Sequence, residues 1–240
     1  MEKQIKEEKD QIPPAPVTPL SAHRRQFMLR NSSFAVREAY RTLRTNVRFA
    51  LQGTGCKRIC ITSSTPGEGK SITLLNLALS IAEAGQKVLL IDADLRKPAQ
   101  ARLMNETATP GLSNYLVDMT DAKTIIHKDI CPNLDMIFSG DIPPNPSELL
   151  ETGKFIELIE EQSKAYEYIL LDTPPVNLVS DACLIASHLD GVLVLVRQGM
   201  ARKDTLKRVI DNLQFAGAKI LGFVLNGVAH DEKKNYSYYD

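Results

Sequence analysis

Nine residues, SSTPGEGKS at 63–71, carry the means to hold phosphate. Gly67 and Gly69 let backbone pass close to a ligand with no Cβ in the way. Lys70 reaches toward outer phosphates, and the Ser71 hydroxyl suits a Mg²⁺ ion. The stretch follows GxxxxGK(S/T), except that Ser64 stands at the first glycine. Acids come next. LLIDAD places Asp92 and Asp94, and YILLD places Asp172, at the ends of apolar runs. An acid ending a second strand beside such a loop can hold the Mg²⁺ of a nucleotide, directly or through water. Three acids exceed what one Mg²⁺ requires, so the surplus one is a candidate base for an attacking hydroxyl or water. An alternative stays open, in which Asp94 caps a following helix and Asp92 alone is functional. Arg96 either stabilises phosphate charge or pairs with an acid.

These side chains need a frame. KRICIT reads as a β-branched strand running into the loop, and ITLLNLALSIAEAG as the helix leaving it. Leu74, Leu77, Ala78, Ile81 and Ala82 recur at helical spacing, with Gly85 as a C-cap. Strand, glycine turn and helix N-terminus together aim amides and a helix dipole at an anion. QKVLLID is near-continuously apolar, as a strand covered on both faces must be. LDMIFSG, YEYILLDTPP, GVLVLVRQ and KILGFVLNGV are further strands, with helices around Phe155–Glu161 and Asp204–Phe215. This alternation predicts an α/β fold with a mostly parallel sheet and helices on both faces. Ligands in such sheets sit at the carboxyl ends of strands, where Asp92, Asp94, Asp172 and Asn226 all fall. Asn226, followed by Gly227, reads equally as a plain turn.

The chain of 240 residues suits one such domain, and 29 basic against 29 acidic side chains disfavour bulk nucleic-acid binding. Four cysteines without metal-type spacing read as buried thiols in a reducing compartment. No apolar run approaches the ~18 residues of a membrane span and no signal peptide is evident, so an intracellular protein is expected. Residues 1–31, with MEKQIKEEKD and the proline-rich IPPAPVTPL, read as a flexible arm. Residues 32–230 form the folded domain, and 231–240 a tail bearing Tyr236, Tyr238 and Tyr239. Ser33–Leu51 is an amphipathic helix with Asn31, Ser32 or Ser33 as N-cap and an apolar stripe of Val36, Tyr40, Leu43, Val47 and Ala50. Glu38, Arg41 and Arg44 share its polar face. Spacing alone favours a solvated face with an i, i+3 ion pair over a contact with another copy.

Together these stretches resemble the bacterial tyrosine kinases, or BY-kinases, of capsule and exopolysaccharide synthesis, from about Ser32 to the C-terminus. SSTPGEGKS is similar to that family's Walker A loop, LLIDADLRKP to its Walker A′ and YILLDTPP to its Walker B. NYSYYD resembles its autophosphorylated tails, and EAYRTLR its ExxRxxR self-association helix. GDIPPNPSELL resembles a further family segment, with no role derived from its residues. The resemblance implies a P-loop NTPase-type fold, with ATP and Mg²⁺ as cofactors and protein tyrosines as substrates. It puts Pro66, Gly67, Glu68, Gly69, Lys70, Ser71 and Ile72 around the nucleotide, with Asn226 at the adenine. Lys70, Asp92 and Asp94 would be catalytic. Ser71 and Asp94 would ligate the metal with help from Asp172 and Asp92, the latter favoured as base. Glu38, Arg41 and Arg44 become an interface in a ring, an octamer by analogy. A separate transmembrane activator would recruit the cytoplasmic kinase to the inner face of the membrane; no nucleic acid is implied. The tail would dock in a neighbour's site until crowded phosphates repelled it from acid-rich surroundings. Two other classes compete. Partitioning or septum-positioning ATPases share the fold but carry a lysine where Thr65 stands. A nucleotide-gated structural subunit of an export complex would bind ATP with little turnover.

Overall fold

The computed structural model describes residues 32–228. The arm at 1–31, with the candidate cap Asn31, and the tyrosines Tyr236, Tyr238 and Tyr239 lie outside the described residues. The elements in order are α1 (Phe34–Ala50), β1 (Lys57–Ser63), α2 (Lys70–Glu83), β2 (Val88–Asp92), α3 (Gln100–Met104), α4 (Leu112–Leu116), α5 (Ala122–Ile125), β3 (Ile126–Cys131), β4 (Leu134–Ile137), α6 (Pro146–Leu150), α7 (Gly153–Gln162), β5 (Tyr168–Asp172), α8 (Asp181–Ala186), β6 (Gly191–Arg197), α9 (Lys203–Phe215) and β7 (Ile220–Asn226).

The strands form one sheet in the order β3-β4-β2-β5-β1-β6-β7. Every neighbouring pair is parallel except β3 with β4. Six of the seven strands are the ones their apolar runs predict. The seventh, β3, is the partly exposed edge IHKDIC, which carries no apolar run to announce it. The central strands feed two cores because successive side chains face opposite ways. Leu89 and Ile91 of β2 and Ile169 and Leu171 of β5 join Phe155, Ile185 and Leu213 from α7, α8 and α9. Leu90 of β2 and Leu170 of β5 join Leu74, Leu77 and Ile81 of α2 on the other face.

Helix α1 sits lightly on this second core. Ser33 caps it, its hydroxyl accepting from the Val36 amide at 3.4 Å. Val47 is the one side chain buried within the helix. Tyr40 and Leu43 pack beside it, but Val36 is 40% exposed, so the predicted stripe fails in the first turn. The cysteines also depart from expectation. Cys60 is buried, whereas Cys56, Cys131 and Cys183 are half-buried, since they lie at strand ends and on an outer helix rather than mid-sheet. Among the described residues no helix is long and apolar enough to cross a membrane.

Strand β5 lies between β1 and β2, and its register pairs Asp172 with Asp92 directly. The phosphate-type loop after β1 emerges at the same sheet edge. Seating α2 against the sheet therefore decides where the loop sits. Leu74 is fully buried, whereas Phe215, at the end of α9, is 97% exposed. Leu74→Ala should lower unfolding free energy by about 2–5 kcal/mol in urea titrations. Phe215→Ala should stay within about 0.5 kcal/mol of the unaltered chain.

Candidate functional site

The loop between β1 and α2 is shaped from within. Gly67 and Gly69 take φ of +81° and +99°. A Cβ on Gly69 would lie 2.4 Å from the Asn226 side-chain nitrogen. Glu68 is fully buried. Its Oε1 accepts from the Ser64 hydroxyl (2.6 Å), the Thr65 amide (2.7 Å) and the Thr65 hydroxyl (3.0 Å). Its Oε2 accepts from the Arg197 amide at 3.0 Å, which fastens the loop to the end of β6. Burial alone would raise this carboxyl's pKa, but the donors from Ser64, Arg197 and Thr65 hold it below its ordinary value. The serine at the first glycine position thus gains a job as a donor to Glu68. The Asn226 carboxamide donates to the Glu68 carbonyl at 2.8 Å and accepts from the Gly227 amide at 2.8 Å, so both its ends serve the loop and its own turn.

The three acids occupy different environments. Asp92 and Asp172 are fully buried, and Asp94 is 8% exposed. Asp92 Oδ2 accepts from the amides of Ala99 (3.0 Å) and Gln100 (2.9 Å), at the start of α3. Asp94 Oδ1 accepts from the amides of Arg96 (3.3 Å) and Lys97 (2.9 Å) within a local turn. The alternative in which Asp94 caps the following helix does not hold: its Oδ1 serves a local turn, while Asp92 Oδ2 takes the amides of Ala99 and Gln100. Burial, with the charge of Asp172 beside it, pushes the Asp92 pKa well above the usual carboxylate range. Burial also raises Asp172, to about 6, while Lys70, Ser71 and Gln100 pull it the other way.

Gln100 joins these pieces, and nothing in its spacing announced it. Fully buried, it donates from Nε2 to Asp172 Oδ2 at 2.9 Å and to the Ser71 carbonyl at 3.1 Å. Arg96 is paired, as one of its two readings foresaw. Its guanidinium meets the fully buried Asp181 at 2.8 and 3.1 Å and the Ser147 hydroxyl at 2.8 Å. Ser147 in turn donates to Asp181 at 2.7 Å. The segment GDIPPNPSELL thereby acquires a physical role, supplying a hydroxyl that locks Arg96 and α8 together.

In front of the carboxylates opens a cavity of about 410 Å³. Pro66, Gly67, Gly69, Lys70, Ser71, Ile72 and Asp94 line it. Glu68, Asp92, Asp172 and Asn226 are absent from its walls and stand behind or beside them. A triphosphate with Mg²⁺ fits these residues. The loop offers amides and Lys70, Ser71 and Asp94 face the space, and buried Asp92 Oδ1 has no hydrogen-bond partner among the described residues. Those residues hold no cluster of three or more His, Cys, Asp or Glu that could cage a metal alone. Mg²⁺ keeps several waters and takes phosphate oxygens alongside one or two carboxylates.

The helix α1 face is split by the structure. Glu38 and Arg41 form an exposed intrahelical ion pair. Arg44 is half-buried and donates to the Ser80 carbonyl of α2, so its guanidinium serves its own chain.

The buried acids make stability pH-dependent. Folding holds the Asp172 proton more tightly than the unfolded chain does, at about 6 against 3.8. The resulting stabilisation is complete below about pH 4 and is lost as pH rises through 6. Asp172→Asn should therefore raise the melting temperature of the metal- and nucleotide-free protein at pH 8, and the gain should vanish toward pH 4.

Comparison with known proteins agrees with this architecture. The family model described as an AAA domain matches residues 56–219. The chain is 39% identical over 202 residues to tyrosine-protein kinase YwqD of Bacillus subtilis (strain 168), spanning 84% of this chain and 85% of that one. The solved kinase domain of the Escherichia coli tyrosine kinase ETK superposes with a TM-score of 0.78 at 36% identity, covering 84% of this chain and 79% of that one. The septum site-determining protein MinD from Pyrococcus horikoshii OT3, complexed with Mg-ADP, gives a TM-score of 0.61 at 23% identity over 71% and 70%. At that identity the likeness is one of fold, and the fold is the P-loop NTPase-type α/β sheet that the sequence predicts. With the kinases, likeness extends over most of both chains. The chain belongs to the bacterial tyrosine kinase family of capsule and exopolysaccharide synthesis.

Proposed function

We propose that this chain is an ATP-dependent protein-tyrosine kinase that phosphorylates its own Tyr236, Tyr238 and Tyr239 and so regulates capsule or exopolysaccharide synthesis and export. One observation carries the reading: a pre-shaped phosphate loop faces Asp94 across the cavity, with Asp92 and Asp172 buried at neighbouring strand ends behind it. In this reading residues Pro66 to Ile72 cradle the phosphates through backbone amides and Lys70. Ser71 and Asp94 hold Mg²⁺, with Asp172 and Asp92 behind them. The ion would offset charge on the phosphates. Asp92 is the base for the tyrosine hydroxyl in this reading; standing behind the cavity wall, it would take the proton at its unpartnered Oδ1 through a bridging water, and burial raises its proton affinity. Asn226 flanks the adenine side while bracing the loop. A tail tethered to the assembly meets the site at high effective concentration, so little specific binding energy is needed.

Self-association into a ring, an octamer in this proposal, would use the exposed Glu38 and Arg41, with Arg44 seating α1 on α2. A separate transmembrane activator would bring the kinase to the inner face of the membrane. The release step needs revision. Its premise is an acid-rich site, yet among the described residues that line the cavity Asp94 is the only carboxylate and five are cations. Repulsion by acids therefore does not account for release of a phosphorylated tail.

The partitioning-ATPase reading needs a lysine where Thr65 stands, and Thr65 is committed to Glu68 through its amide and hydroxyl. Two experiments test the kinase reading. Phosphatase-treated protein given Mg²⁺ and ATP should gain phosphate on the three tail tyrosines by mass spectrometry, and Lys70→Met should cut this by about 100-fold or more. Glu38→Ala with Arg41→Ala should shift the species seen by light scattering from a ring toward monomer. An unchanged mass would remove α1 from the interface.

A further inference from the structure

The mouth of the cavity carries more positive charge than a nucleotide needs. Lys70, Arg96, Lys97, Arg102 and Arg197 all line it. Three of the five are already employed. Lys70 belongs to the phosphate loop, Arg96 is held by Asp181 and Ser147, and Arg197 donates to the Gly67 carbonyl at 3.3 Å. Lys97 and Arg102 are exposed, and among the described residues neither side chain has an ion pair or a hydrogen bond. They stand on one stretch of wall, on the turn before α3 and on α3 itself. Pro174, Pro175, Leu178 and Val179 line the same cavity, and Leu178 is 60% exposed. Two unpaired cations and exposed apolar side chains lining one cavity suit a ligand with an aromatic ring and an anionic group side by side.

The chain itself supplies such a ligand. In NYSYYD, Tyr238 and Tyr239 are adjacent and Tyr236 is two residues away, with Asp240 next. Once one tyrosine is phosphorylated, a group of about −1.5 to −2 charges lies within two residues of an unmodified one. Two extended residues span about 7 Å, a short reach from an acceptor to a neighbouring wall. Arginine takes phosphate oxygens in a bidentate fork and lysine adds a compact charge. We propose that Lys97 and Arg102 dock a phosphotyrosine beside the acceptor, so that the tail segment 236–240 becomes a better substrate after its first phosphate than before it. The inference rests on the kinase reading above. It makes phosphorylation of the cluster self-propagating rather than self-limiting at its first step.

The test uses the full chain with Tyr236, Tyr238 and Tyr239 replaced by Phe, so that added peptide is the only tail substrate. Peptides of residues 233–240, unmodified or phosphorylated at Tyr238, are compared by steady-state kinetics with Mg²⁺ and ATP. The phosphorylated peptide should show a KM about 5–10-fold lower, an advantage that shrinks as salt is raised. Lys97→Ala with Arg102→Ala should narrow that ratio to below about twofold, both peptides being compared at saturating ATP so that any change in nucleotide binding cancels, with the melting temperature as the check on folding. Equal KM for both peptides overturns the docking proposal alone. So does a double variant that keeps the preference, or one that changes KM for ATP and not the peptide ratio. Phosphate on neither peptide overturns the kinase reading, and this proposal with it.

Discussion

Two carboxylates buried side by side are the constraint on which this structure turns. Asp92 and Asp172 end neighbouring parallel strands at the same register, and both are fully removed from solvent. Burying one such group without donors is costly, and a like charge beside it adds to the cost. The surrounding chain answers that cost locally. Two amides at the start of α3 hold Asp92, and the Gln100 carboxamide holds Asp172 while gripping the first turn of α2. The loop from β2 into α3 is therefore folded around its own acids, and the helix that carries Lys70 is tied to the same point.

The phosphate loop is organised by the same principle of internal satisfaction. Glu68 gathers Ser64 and Thr65 into a closed turn and anchors it on β6 through the Arg197 amide. Its amides are thus held ready for an anion instead of collapsing onto the sheet, and ordering them on binding costs less. Asn226 reaches the loop from the end of β7, so three strands meet at one turn. Site and scaffold are one hydrogen-bonded unit, which is why Arg96, Ser147 and Asp181 can lock the far wall without touching the phosphate loop.

Much of this was legible in the residues. Glycine and lysine spacing located the loop, and acids after near-continuous apolar runs located the strand ends. What stayed hidden depends on contacts between segments far apart in sequence. Gln100 lies 72 positions from its carboxylate partner, and Arg96 lies 85 from Asp181. No periodicity reports such pairs. Edge strand β3 was invisible because a strand covered on one side needs no apolar run. The open alternative of Asp94 as a helix cap failed because a local turn at Arg96 and Lys97 takes its side chain, and local turns leave little trace beyond the aspartate itself. Arg44 shared a spacing with Glu38 and Arg41 but not their exposure, since α1 leans it onto α2. The tyrosine tail was read from composition and resemblance alone.

On the kinase reading the site delivers the terminal phosphoryl group of ATP to tyrosine rather than to water. The most direct measurement follows γ-labelled ATP in a single reaction of the phosphatase-treated protein and counts label on tyrosine against label released as inorganic phosphate. Label should appear first on the tail tyrosines, with inorganic phosphate a minor product until the tail is filled. Steady release of inorganic phosphate with no labelled tyrosine would contradict it.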